Sequence, residues 1–164
     1  MESKNISISW SEFSSLDELS ENDQELIRAA REASKNAWAP YSGFRVGAAV
    51  RLENGMIIIG SNIENAAFPS GICAERNVLS TSAASFPDKK PIALAIAARN
   101  QEGLTDDPVP PCGNCRQVIV EEELRNSNDI KLLLSGKTKI IVVEKGSDLL
   151  PLQFSVNNMR INLP

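Results

Sequence analysis

Apolar residues recur at helical spacing from Leu26 and Ile27 through Ala30, Ala33 and Ala37 to Trp38. Ser20, with Asp23 three residues on, supplies a capping signal in front of this run, and Pro40 closes it. A first helix is predicted over Glu21 to Trp38. The pattern then turns β-rich in Phe44 to Leu52 and again in Met56 to Ser61, around Glu53-Asn54-Gly55. Asn-Gly between two apolar runs is the strongest short-range hairpin signal. On the first of these strands, Gly47, Ala48 and Ala49 leave little side chain, so either the first helix or a ligand approaches closely there.

Helical spacing returns in Ile72 to Ser85, with Val78, Leu79 and Ala83 turned inward. Ile92 to Ala98 is almost continuously apolar, which suits a central strand covered on both faces. A polar loop follows from Asn100 to Pro111, then a third helix from Gly113 to Leu124. A second hairpin is predicted from Ile130 to Leu134 and Thr138 to Val143, and a polar tail closes the chain. The order predicts an α/β fold: a mixed sheet of about five strands with helices on both faces. Residues 20–164 read as a single domain. Residues 1–19, with Trp10, Phe13, Leu16 and Leu19 scattered among polar residues, read as an N-terminal arm, either ordered over the surface or partly mobile.

Composition narrows the function classes. In 164 residues, 17 basic against 21 acidic side chains give a mildly negative balance, and no basic cluster tracks a phosphate backbone, so long nucleic acid is not an expected partner. No apolar run approaches the length of a membrane span, and the N-terminus lacks the basic and apolar regions of a secretory leader. The expected location is the cytoplasm, where thiols stay reduced and free to bind metal.

Those thiols carry the chemistry. All three cysteines fall in two short stretches, Cys73-Ala74-Glu75-Arg76 and Pro111-Cys112-Gly113-Asn114-Cys115-Arg116-Gln117, and the chain has no histidine. A closed structural zinc site takes four protein ligands, and three thiolates leave one tetrahedral position for water. Glu75 either fills that position as a ligand or stands beside the water as a proton carrier. A redox pair and small buried hydrophobes are the other readings of such cysteines, although this C-x-x-C comes late in the chain for a thioredoxin-like motif. Cys112 and Cys115 share a face of one helical turn, and Cys73 begins another helix, so two positive helix ends point at the ion.

The residues around the cysteines resemble the cytidine deaminase family, in its short form with three cysteines on zinc. The resemblance rests on the Cys-Ala-Glu-Arg segment with the later Pro-Cys-x-x-Cys-Arg-Gln, and on Tyr41-Ser42-Gly43-Phe44-Arg45-Val46-Gly47-Ala48-Ala49. Asn62-Ile63-Glu64-Asn65-Ala66-Ala67-Phe68-Pro69 and Leu149-Leu150-Pro151 with Phe154 extend it from about Ser20 to Phe154. It implies a three-layer α/β/α sandwich and one Zn²⁺ per chain on Cys73, Cys112 and Cys115. The implied reaction is hydrolysis of a cyclic amidine C–N bond, turning cytidine and deoxycytidine into uridine and deoxyuridine with loss of ammonia, as in pyrimidine salvage.

The remaining roles follow from the same resemblance. Glu75 carries the proton, provided that the chain is just entering its helix there, because two residues of a regular helix lie on nearly opposite faces. Arg76 offsets the negative three-thiolate centre by hydrogen bonds to the sulfurs, its plain alternative being a surface ion pair, and Arg116 is a weaker candidate for that job. Phe44 flanks the base and the backbone of Ala74 reads its edge. Asn62 and Glu64 hold ribose hydroxyls; without the resemblance they read as solvated strand-end residues and Phe44 as core. Phe154 is contributed to a neighbouring subunit's pocket, which implies a homotetramer with shared active sites. The competing functions are deamination of another aminopyrimidine nucleoside such as blasticidin S, which would be expected to lack Glu64, and a non-catalytic zinc protein with a filled fourth position.

Overall fold

The computed structural model describes residues 1–159; residues 160–164, part of the expected domain and its polar tail, lie outside the described residues. Among the described residues seven strands form one sheet: β1 (Ser11–Phe13), β2 (Arg45–Leu52), β3 (Ile57–Ser61), β4 (Pro91–Asn100), β5 (Gly103–Leu104), β6 (Lys131–Ser135) and β7 (Ile140–Val143). They are ordered β1-β7-β6-β4-β2-β3, with β5 paired to the end of β4. β4 and β6 run parallel and the other pairs antiparallel, so the sheet is mixed as expected. The two strands beyond the expected five are β1 and β5, three and two residues long, too short to carry a period.

Among the described residues four α-helices accompany the sheet: α1 (Glu21–Ala33), α2 (Ala74–Ser85), α3 (Gly113–Asn126) and the single turn α4 (Val156–Met159). α1 starts where the Ser20 hydroxyl accepts the Asp23 N–H and donates to the Asp23 carboxylate. It ends at Ala33, five residues short of the predicted Trp38. Ser34–Asn36 tighten into a 3₁₀ turn, and Trp38 then pairs with the chain beyond β3: its N–H donates to the Asn62 carbonyl, and its own carbonyl accepts the Glu64 N–H. Tertiary pairing overrides the period here, as it commonly does, and Trp38 is left 62% exposed.

Alternation along β4 sorts the core into two layers. Ala93, Ala95 and Ala97 face α1, where they meet Leu26, Ile27 and Ala30. Leu94 and Ile96 face the opposite way, among Val78 and Leu79 of α2 and Ile119 of α3. Each such Leu or Ile, fully buried, contributes about 1.5–3 kcal/mol. The small run on β2 belongs to the first helix: a Cβ on Gly47 would lie 2.1 Å from the Ala30 carbonyl oxygen, so α1, and no ligand, makes the close approach.

The arm is ordered where it meets the sheet. β1 pairs with β7 in the register Ser11 to Val142 and Phe13 to Ile140, and Phe13, Leu16 and Leu19 pack against the α1 layer. The polar loop before α3 is tied down as well. The Lys137 N–H donates to the Thr105 carbonyl (2.8 Å) and the Thr138 hydroxyl to the Asp106 carbonyl (3.0 Å). A Cβ on Gly136 would come within 2.4 Å of that Asp106 oxygen. The loop is thereby pressed onto the β6–β7 turn and delivers Val109 to Pro111 to the start of α3.

Candidate active site

Cys73 is the N-cap of α2 and Cys112 the N-cap of α3, both with extended backbone, and neither side chain caps its own helix. With Cys115 one turn further along α3, the three sulfurs lie within 4.8 Å of one another, and those of Cys112 and Cys115 are 3.5 Å apart. Tetrahedral zinc with bonds of about 2.3 Å places sulfurs about 3.8 Å apart. The donor set therefore fits zinc in identity and spacing. The N-termini of α2 and α3 converge on it, and their unpaired N–H groups and partial positive charge favour thiolates.

Protonation of the cluster points the same way. The Cys73 thiol is lowered to about 6, first by a hydrogen bond with Cys115, while its burial and the Glu75 carboxylate act in the opposite sense. Cys115 is pushed up, first by that same hydrogen bond and then by burial. The two thiols interact, and the direction of their shifts favours a thiolate at Cys73. A metal ion takes the place of thiol protons.

Glu75 is only 5% exposed, and burial pushes its carboxyl above the ordinary carboxylate range; a hydrogen bond with Cys115 pulls the other way. The carboxylate is not among the atoms of the metal-sized cluster. It lines, with Cys73 and Cys112, a cavity of about 260 Å³ whose other walls include Phe44, Ala74, Ile96 and Pro110. Cys73 and Glu75 reach one space because Cys73 precedes the first turn of α2, the arrangement that their two-residue offset requires.

A larger groove of about 510 Å³ adjoins this cavity, sharing Asn62 and Cys73 with it. Asn62 fastens the start of β2: its Oδ1 accepts the Val46 N–H (2.7 Å) and its Nδ2 donates to the Phe44 carbonyl (3.1 Å). Glu64 fastens the preceding turn, accepting the Tyr41 N–H (2.9 Å), the Ser42 N–H (3.3 Å) and the Ser42 hydroxyl. The Ser42 hydroxyl and then the Tyr41 N–H hold its carboxyl below the usual range. Both side chains thus line the groove while holding Tyr41 to Val46, the stretch that carries Phe44 into the cavity.

Phe154, expected at a neighbouring subunit's pocket, lines neither space of its own chain, and the residue is 60% exposed. Arg76 adds its charge to the factors that lower Cys73, but among the described residues it donates no hydrogen bond to a sulfur. Arg116, the weaker candidate for the sulfurs, donates instead to the carbonyls of Pro111 and Leu149, both at 2.9 Å. The long loop ending at Pro110 was expected to bear on the pocket's rim, but Val109, part of the same wall, was not singled out from sequence. Nor was Glu123, whose buried carboxylate accepts the N–H groups of Ile130, Gly146 and Ser147 behind α3. The one signal for Glu123 is a charge on the inward stripe of a helix.

Residues 20–127 match the family model described as the cytidine and deoxycytidylate deaminase zinc-binding region. A protein named cytidine deaminase from Halalkalibacterium halodurans is 40% identical over 136 residues, covering 83% of this chain and 96% of the relative. Another from Sporosarcina psychrophila is 43% identical over 102 residues, 60% of this chain and 68% of its own. Among solved structures, the cytidine deaminase from Burkholderia pseudomallei superposes with a TM-score of 0.68 at 34% identity, covering 79% of this chain and 97% of that one. The Mycobacterium tuberculosis enzyme gives 0.61 at 30% identity, over 80% and 95%.

Proposed function

The chain belongs to the cytidine deaminase family, and from that premise we propose that it is a zinc-dependent hydrolase converting cytidine and deoxycytidine to uridine and deoxyuridine. One observation carries the reading: a buried carboxyl, Glu75, opens into the same cavity as a three-sulfur cluster that lacks a fourth protein ligand among the described residues. A closed structural zinc site would have no use for either feature.

Cys73, Cys112 and Cys115 would hold the zinc, which when bound supplies Lewis-acid activation of water at neutral pH. Glu75 takes the proton that the attacking water loses and hands it to the ring nitrogen next to C4; a second transfer through the same carboxyl goes to the exocyclic amine. The water oxygen ends on C4, the C4–N bond breaks, and ammonia leaves. A carboxyl raised by burial suits this work, because it has to release the proton as readily as it accepts it.

Phe44 and the backbone of Ala74 receive the base in the inner cavity. Asn62 and Glu64 receive the sugar in the outer groove, and each has capacity to spare. The Glu64 carboxylate offers about four lone-pair sites and accepts three hydrogen bonds from its own chain. Asn62 keeps a second N–H beyond the one spent on Phe44. That sugar-facing pair favours cytidine and deoxycytidine over blasticidin S, whose sugar differs. Arg76, next to Glu75, is the cation that balances three thiolates.

We also propose that the chain works as a cytoplasmic homotetramer with shared active sites, in pyrimidine salvage, its domain at 20–164 preceded by the arm at 1–19. No helix of the described residues is long and apolar enough to cross a membrane, and the thiol ligands suit a reducing compartment. Support for assembly comes from apolar side chains exposed around the groove: Trp38, Tyr41, Ile63 and Phe68, with the Tyr41 and Phe68 rings edge to face at 5.7 Å. Long nucleic acid is not a partner in this reading, given a net charge of −4.

The test is zinc content together with the ultraviolet change on adding cytidine, deoxycytidine or blasticidin S to the purified protein. A single zinc per chain with turnover of the two nucleosides is expected. Zinc without turnover of any of them would sink the catalytic reading.

A further inference from the structure

Two consecutive residues of α3 reach the C-terminal segment. Arg116 donates from Nε to the Pro111 carbonyl and from Nη1 to the Leu149 carbonyl, and Gln117 donates from Nε2 to the Phe154 carbonyl at 2.8 Å. The chain from Leu149 to Phe154 is therefore pinned at both ends to the first turns of the helix that carries Cys115. Between the pins Leu152 stands at φ +57, a left-handed conformation that side-chain-bearing residues seldom adopt. Beyond the second pin the buried Ser155 opens the turn α4, its N–H donating to Asn158 Oδ1 at 2.8 Å. What this scaffold leaves free is the Phe154 ring, exposed and outside both spaces of its own active site.

We infer that Gln117 is a positioning residue for the deamination, acting on the active site of a neighbouring copy by fixing the backbone from which Phe154 projects. The inference rests on the reading that Phe154 completes a neighbour's pocket. A ring on a tethered backbone has already lost most of the freedom that binding would take from it, and a ring on a loose loop loses that freedom on contact. Cutting the Gln117 tether leaves the ring in place chemically and lowers the fraction of time that it lies against the nucleoside. KM then rises, while kcat and zinc content stay, because this hydrogen bond runs to Phe154 and not to the cluster. Arg116 has a different signature. It also holds the carbonyl next to Cys112, so its loss affects zinc retention and KM together.

The experiment compares kcat, KM for cytidine and zinc content in Gln117→Leu, Gln117→Glu, Phe154→Ala and the double variant Gln117→Leu/Phe154→Ala. Glutamate keeps the length of glutamine and cannot donate to a carbonyl as a carboxylate, so it reports on the tether even if the leucine variant fails to fold. Both Gln117 variants are expected to raise KM about five-fold, the factor one hydrogen bond is worth. Zinc and kcat should be unchanged, and the double variant no worse than Phe154→Ala alone, because both act through one ring. Mixed oligomers of Phe154→Ala and Glu75→Gln subunits should regain a population of sites with the parental KM. An unchanged KM in both Gln117 variants, or additive losses in the double, would overturn the inference while Phe154→Ala still raises KM. An unchanged KM in Phe154→Ala, or no recovery in the mixed oligomers, would remove the neighbour's pocket and the inference with it.

Discussion

The two faces of the sheet carry helices in opposite manners. On one face α1 lies flat against β2 and β4, so close that Gly47 has no space for a Cβ beside the Ala30 carbonyl. The strands there present Ala93, Ala95 and Ala97, and the layer is closed by Phe13, Leu16 and Leu19 of the arm. On the other face α2 and α3 present their N-termini to the same spot, where the sulfurs gather and a cavity of about 260 Å³ remains under Phe44 and Pro110. Small residues bring a helix in along its length and leave no room for chemistry. Helix ends bring unpaired donors and positive charge, with room for a ligand between them.

If that contrast holds, damage to the first face should appear as lost stability and damage to the second as lost activity. The largest effect is expected at the buried Cys115: Cys115→Ser should lose zinc and bring kcat to the background rate, read by metal analysis and turnover, and a chelator should do the same to the parent protein. On the α1 face, Gly47→Val should lower unfolding stability by about 3 kcal/mol through overpacking against backbone that cannot yield. The molecules that still fold should keep the parental kcat, and a change in kcat per folded molecule would break the contrast. Phe13→Ala should cost about 1–2 kcal/mol in denaturant unfolding, less than a fully buried phenylalanine because the site is only half-buried. Glu64→Gln should raise KM about five-fold, with little change in stability, by weakening the grip on Tyr41 and Ser42. The sign with pH is defined: a carboxyl held below 4.5 keeps these bonds above that pH and loses them only as the pH falls through the lowered value.

Local chemistry made much of this legible in sequence. Cys112 and Cys115, spaced for one helical turn, and Cys73 just before an apolar-periodic run put the cluster at two helix starts, and the structure has both as N-caps. The Asn54-Gly55 turn and the apolar run of β4 placed the hairpin and the central strand for the same reason: the signal lies within a few residues. What failed depends on distant partners. Trp38 continues a helical period, yet its backbone pairs with Asn62 and Glu64, which no local pattern announces. Gly47 was equally open to a helix or a ligand until Ala30 was seen above it. Arg116 and Gln117 donate to carbonyls of Leu149 and Phe154, and every residue owns a carbonyl, so composition cannot say which one is chosen. Asn62 and Glu64 illustrate both sides. The family resemblance pointed them to the sugar where their residue types alone read as solvated strand ends, while their grip on Tyr41 to Val46 emerged only in three dimensions.

The central claim is that Glu75 moves protons in a site whose metal is held by the three cysteines alone. Its most direct test measures zinc content, thermal unfolding and turnover of cytidine for Glu75→Gln beside the parent protein. The account predicts a full complement of zinc, an unchanged or slightly raised unfolding temperature because a buried carboxyl has been neutralised, and a kcat lower by about 10²–10⁴-fold. Loss of zinc along with activity would make Glu75 a ligand, and retention of parental turnover would remove it from the chemistry.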